Sequence, residues 1–170
     1  MDKHENEDYY NIAEIKLTYI ANLNPQERPQ ITCANQAYDV FRSVWDESKM
    51  DLLEEAKLML LNRNNRVLGI CNLSSGGVAA TVIDNKLAFA AALKANASSI
   101  LLAHNHPSGN LTPSSHDKRV TKELQEGAKV LGLEFHDHLI ITRGGFYSFS
   151  NDQEYLCPEP QRPAPTPMVA

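Results

Sequence analysis

Cysteine is scarce: the 170-residue chain holds three, Cys33, Cys71 and Cys157. They are odd in number, widely separated and without CxxC spacing, which argues against a disulfide framework and a cysteine-built zinc site and leaves free thiols. No uninterrupted apolar run approaches the roughly 20 residues that span a bilayer. The opening MDKHENEDYY is charged and acidic, not a basic head before an apolar core. No membrane partner is expected, and the expected location is cytoplasmic. Excess positive charge is also missing: the net charge is −5 and the pI about 5.6. Binding to a phosphate backbone depends on clustered Lys and Arg, so charge gives no indication of nucleic acid. The nearest basic group, Lys118, Arg119, Lys122 and Lys129, is interleaved with Asp117, Glu123 and Glu126, as on a solvated helix face. Two zinc signatures are absent as well, the HExxH of zincins and the HxE with PCxxC of deaminases.

What is present suits one soluble domain with a real core, at 42% hydrophobic and 22% charged residues. Residues 1–10 are expected to be flexible, 11–150 to form the domain, and 151–170 to be a disordered Pro-rich tail. Its last 13 residues carry five prolines and no apolar period. Alternation at Ile15, Leu17 and Tyr19 predicts a strand, Asn22 to Arg28 a turn around Pro25, and Cys33 to Trp45 a helix with Ala37, Val40, Phe41 and Val44 on its apolar side. Ala56–Leu61 and Val67–Leu73 read as a hairpin around Asn62-Arg63-Asn64-Asn65. A short strand is expected over Val78 to Val82, and a helix from the N-cap Asp84 to about Asn96. Ser99 to His104 has the continuous apolar character of a strand covered on both faces. A helix from about Ser114 to Leu131, stopped by Gly132, precedes a strand over Leu133 to Thr142 and a closing strand at Phe146 to Phe149.

The chemistry gathers in HNHPSGNLTPSSHD, His104 to Asp117. Strand residues two apart share a face, so His104 and His106 aim at one point while Asn105 faces away. The turn at Pro107-Ser108-Gly109 and the helix entry at Thr112-Pro113-Ser114 let Asp117, in the first helical turn, swing back to that point. Two neutral imidazoles and a carboxylate hold a tetrahedral zinc ion with one position open for water, as in catalytic sites. A proton-accepting group is then needed. Alternation puts Glu54 with Ala56, Leu58 and Leu60, and Glu55 with Lys57, Met59 and Leu61; because lysine prefers solvent, Glu54 is favoured over Glu55 as the inward carboxylate and general base. Ser114 has two readings: donor to the oxyanion of a tetrahedral intermediate, or plain N-cap with Asp117 as the acidic first-turn residue.

Taken together, His104, His106, Ser114 and Asp117 have the spacing HxH, seven residues, S, two residues, D, which resembles the JAMM signature of JAB/MPN-domain metalloproteases. HNHPSGNLTPS, Asp137-His138-Leu139-Ile140-Ile141 and Tyr147-Ser148-Phe149 resemble more specifically the RadC-like JAB family, across roughly Glu54 to Phe149. The resemblance implies an α/β domain of JAB/MPN, cytidine deaminase-like architecture, a mixed β-sheet flanked by helices. It also implies zinc on His104, His106 and Asp117, Glu54 as the upstream glutamate, Ser114 on the oxyanion side, and cleavage of a peptide, isopeptide or related amide bond in a peptide or protein substrate. JAMM peptidases commonly carry Ser or Thr between the histidines. Here Asn105 stands there, as in RadC-like members, so deubiquitinase-type specificity is not carried over. Longer RadC-like proteins have an N-terminal helix-hairpin-helix region that residues 1–53 do not resemble. Nucleic acid and DNA repair therefore enter by family analogy alone.

The rival class is a catalytically silent MPN-type interaction module; retention of every ligand and a candidate base favours the enzyme. His4, His116 and His136 read as ordinary histidines. His138 reads either as a partner of a metal ligand or as a structural residue bonded to Asp137, the latter favoured. The string His104-Asn105-His106 matches the name of a nuclease class only by coincidence, since that class draws its residues from separated positions.

Overall fold

The computed structural model describes residues 24–76 and 82–156. The strand expected at Ile15 to Tyr19, that expected over Val78 to Val82 apart from its last residue, residues 1–10 and the tail from 157 lie outside the described residues.

Among the described residues six strands, β1 (Glu55–Leu61), β2 (Val67–Ser75), β3 (Ser99–Asn105), β4 (Glu134–Thr142), β5 (Gly145–Ser148) and β6 (Gln153–Leu156), form one mixed sheet in the order β2-β1-β3-β4-β5-β6. β1 and β2 are the expected hairpin. Asn62 Oδ1 accepts from the backbone N–H of Asn64 at 2.9 Å and of Arg66 at 3.0 Å. Asn65 closes the turn at φ 53°, a left-handed conformation that asparagine tolerates. β3 runs antiparallel to β1 and parallel to β4. A parallel pair needs a crossover, and α3 (Ser115–Val130) supplies it. Gly132, at φ 68°, ends that helix and releases the chain into β4. β5 and β6 complete the sheet by antiparallel turns.

Helices cover both faces. On one, α1 (Ala34–Ser43) brings Ala37, Tyr38 and Phe41 onto Met59, Leu61, Leu101, Ala103, Leu139 and Ile141. On the other, α3 brings Val120, Leu124 and Ala128, and α2 (Asn85–Lys94) brings Ala88 and Ala92, onto Ala56, Leu58, Leu60, Ile100 and Leu102. Asp84 caps α2 by accepting from Lys86 N–H at 2.9 Å. The result is the α/β domain with a mixed sheet flanked by helices that the sequence led us to expect.

Three expectations are corrected. Val44 is 49% exposed, because α1 ends at Ser43 and Trp45 takes the core position instead. Residues 151–156, assigned to a disordered tail, carry β6, whose Tyr155 stacks on Phe146 with ring centroids 4.6 Å apart. Lys57, expected in solvent, is buried. Its ammonium donates to Asn72 Oδ1 at 2.7 Å, lies 3.7 Å from Glu55 Oε2, and sits over the Trp45 ring, 4.8 Å from its centroid. Every residue of β1 is buried, so the strand has two inner faces and no solvent side for a lysine to mark.

Candidate metal centre

β3 delivers the histidines. His104 is its penultimate residue and almost wholly buried, and His106 follows just beyond the strand end, held by its own N–H to Ile141 O at 3.0 Å. The turn after it closes through Gly109 N–H to His106 O at 3.0 Å, with Gly109 at φ 78°; a side chain is rarely accommodated there. The chain then reaches the N-terminus of α3, where Ser114 and Asp117 form a reciprocal capping box. Ser114 Oγ accepts from Asp117 N–H at 3.1 Å, and Asp117 Oδ2 accepts from Ser114 N–H at 2.7 Å and from its hydroxyl at 2.6 Å. These bonds turn the carboxylate toward the imidazoles: Asp117 Oδ1 lies 3.3 Å from His104 Nε2, and Oδ2 lies 3.7 Å from His106 Nε2. Burial would raise the Asp117 pKa, but His104, when its ring is protonated in the metal-free protein, and the two Ser114 bonds outweigh it and hold the group below the usual carboxylate range.

The hydrogen bonds also fix which ring nitrogens carry protons. Thr121 donates its one hydroxyl proton to Asp117 O at 2.7 Å, so it must accept from His138 Nδ1–H at 2.6 Å. His138 is fully buried, which drives its pKa well below the ordinary histidine value and keeps it neutral. Its Nε2 therefore holds a lone pair and accepts from His104 Nδ1–H at 2.7 Å. With its ring neutral, as a metal ligand must be, His104 Nε2 is left bare. His106 Nδ1–H donates to Asn110 O at 2.6 Å, so its Nε2 is bare too.

Two lone pairs thus face one another across 2.9 Å beside a carboxylate, an arrangement that repels unless a cation lies between them. Zinc with bonds of 2.0–2.1 Å sets tetrahedral ligand atoms roughly 3.3 Å apart, close to the separations here. Nitrogen and oxygen donors of this kind fit zinc, and His104, His106 and Asp117 are the residues that would hold it. No fourth His, Cys, Asp or Glu joins them among the described residues.

The glutamates separate cleanly. Ala56 pairs with His104 across the antiparallel β1·β3 ladder, and Glu54 stands two residues before Ala56, just ahead of β1. Glu54 is half-buried. Glu55 points to the face away from Ala56, where its Oε1 accepts from Ser75 Oγ at 3.3 Å and its partner is Lys57. Ser114 occupies the N-cap position, with its hydroxyl proton engaged by Asp117. His138 is bonded to His104 and stacks on Phe149 with centroids 4.7 Å apart. Asp137 does not touch the His138 ring: it accepts from the His138 backbone N–H, from Ser148 Oγ and from Ser150 N–H, anchoring the approach to β6. His116 and His136 lie outside the cluster, bonded to Arg119 and Asn65. His4 is outside the described residues. A cavity of about 360 Å³, lined among others by Ile31, Asn65, Leu101, His136 and Tyr155, lies on the α1 face, with the sheet between it and the imidazoles.

The RadC-like JAB domain matches residues 31–155, a stretch that contains all of this machinery. The chain belongs to the RadC-like JAB family. Its relatives include proteins named UPF0758 protein from Flavobacterium johnsoniae, 37% identical over 123 residues, and from Porphyromonas gingivalis, 42% identical over 100 residues. The first alignment covers 72% of this chain and 52% of the relative, the second 58% and 44%. This RadC-like chain therefore spans about half the length of the curated relatives it matches. No helix among its described residues is long and apolar enough to cross a membrane.

Sequence reasoning missed Thr121 and gave Asn105 no task. Thr121 was findable: it stands four residues after Asp117 and so on the same side of α3. Asn105 gave no such signal, because its partners lie about 50 residues upstream.

Proposed function

We propose that this RadC-like domain is a JAMM-type zinc-dependent hydrolase that cleaves a peptide, isopeptide or related amide bond. The observation that carries the reading is the pair of imidazoles whose tautomers both leave Nε2 bare beside Asp117, with no fourth protein ligand among the described residues. Zinc held there supplies Lewis acidity, polarising a carbonyl and lowering the pKa of a water to about 7.

The protein's own groups do the rest. Glu54, two residues before the Ala56 that pairs with His104, takes a proton from the attacking water and returns it to the leaving amine. Ser114, beside Asp117 at the helix N-terminus, donates its hydroxyl to the developing oxyanion once that proton leaves Asp117 Oδ2. His138 and Thr121 hold His104 in the tautomer that presents Nε2. The substrate is a peptide or protein segment in extended form. The expected location is cytoplasmic.

Digestion of an unstructured peptide library by the zinc-loaded chain, with and without chelator, tests the reading. Cleavage that disappears with chelator and with His104→Ala, and that falls about 100- to 10,000-fold with Glu54→Gln, supports it. No cleavage by a fully loaded chain points instead to a silent interaction module. His104→Ala should empty the metal site, whereas Glu54→Gln should leave it filled; loss of zinc in the glutamate variant contradicts this division of roles.

A further inference from the structure

We propose that Asn105 is a positioning residue that fixes the direction of the Glu54 side chain by clamping the peptide groups on either side of it; this rests on the reading of Glu54 as the base. Asn105 is fully buried and faces away from its histidine neighbours. Its Oδ1 accepts from Glu55 N–H at 2.7 Å, and its Nδ2 donates to Leu53 O at 2.8 Å and to Met50 O at 2.7 Å.

The geometry matters because of which peptides these are. Leu53 O belongs to the peptide joining residues 53 and 54, and Glu55 N–H to the one joining 54 and 55. The orientations of those two planes set φ and ψ of Glu54, and hence its Cα–Cβ direction. One side chain grips both, and Gly76 N–H adds a bond to Glu54 O at 2.8 Å from the β2 side. Residues 51–54 contain no strand or helix to do this work. The same three-residue stretch thus supplies both imidazoles and, through the residue between them, orients the carboxylate that must act beside them. A serine or threonine at 105 has one hydroxyl proton and a shorter reach, and cannot make three such bonds.

Hydrogen exchange on the intact chain reads the clamp directly and needs no substrate. In the unaltered protein the Glu55 amide should exchange as slowly as the interior amides of β1, although its acceptor is a side chain. In Asn105→Ala the Glu55 amide should exchange about 100-fold faster, as expected from loss of three hydrogen bonds each worth about 1 kcal/mol net when only partly compensated. Zinc should still bind at one equivalent. Turnover of a cleaved peptide should fall about 10- to 100-fold in kcat, with KM changed by less than about threefold, the pattern of a displaced catalytic group. Asn105→Ser, which keeps a hydroxyl, should recover part of both effects. In a Glu54→Gln background, Asn105→Ala should cost no further kcat. A Glu55 amide that exchanges at the rate of an open loop in the unaltered protein overturns the clamp even if the variants do not fold. Full additivity of Asn105→Ala and Glu54→Gln overturns its link to Glu54. Unchanged turnover in Glu54→Gln alone sinks the base assignment, while the exchange result still decides the clamp.

Discussion

At the scale of single residues the centre depends on proton placement. The relay from His104 through His138 to Thr121 ends on a backbone carbonyl of the helix that carries Asp117, so one chain of hydrogen bonds ties two ligands together. Thr121→Val removes the acceptor for His138 Nδ1–H and frees that ring to reprotonate or flip. Zinc affinity should fall about 10- to 100-fold, as when partners of metal-bound histidines are removed, which a competition titration against a chelating dye measures. Unchanged affinity would mean that His104 keeps its tautomer without help. His138 adds a pH dependence to the metal-free protein. Its folded pKa is depressed below the ordinary value near 6.5, so on acidification the unfolded chain takes up a proton that native His138 refuses. The contribution is fully present above about pH 6.5 and is lost progressively as pH falls below it. Denaturant unfolding in chelator should show a stability decline from pH 7 to pH 5 that is shallower in His138→Gln; an identical slope would contradict a neutral buried ring.

At the scale of elements, α3 links fold to chemistry through its first turn. Ser114→Ala removes the cap and one of the bonds that aim Asp117, and should cost about 1 kcal/mol of stability along with weaker zinc binding, read by denaturant titration and metal competition. If Ser114 also serves the oxyanion, kcat should fall at saturating zinc; a change confined to stability and zinc affinity would leave it a cap alone. The legibility of the sequence divides along the same lines. The histidine pair was readable because strand alternation and the turn chemistry of Pro107 to Gly109 are local. Asp117 was readable because capping has a fixed spacing. The choice between Glu54 and Glu55 rested on a lysine that should seek solvent, and Lys57 is buried against Trp45 and Asn72. Alternation distinguishes inside from outside only when a strand has an outside, and β1 has none. What argues for Glu54 is the pairing of Ala56 with His104, a long-range fact invisible to local pattern.

At the scale of the whole molecule, the unforeseen β6 shows how a composition argument overreached. Five prolines after residue 157 colour the tail, yet Gln153–Leu156 pair with β5 and put Tyr155 on Phe146, itself packed against Tyr38 of α1 with ring centroids 4.7 Å apart. A chain ending at residue 150 should therefore melt several degrees lower than one ending at residue 157, since removing an aromatic pair and a strand costs about 1 kcal/mol or more. Equal melting temperatures would place the domain boundary back at 150.

The most direct test is X-ray absorption at the zinc edge of the zinc-loaded chain. The account predicts one zinc per chain in a four-coordinate shell of nitrogen and oxygen at about 2.0–2.1 Å, with two imidazoles and no sulfur. Failure to bind one equivalent, a sulfur in the shell, or a single imidazole would contradict it.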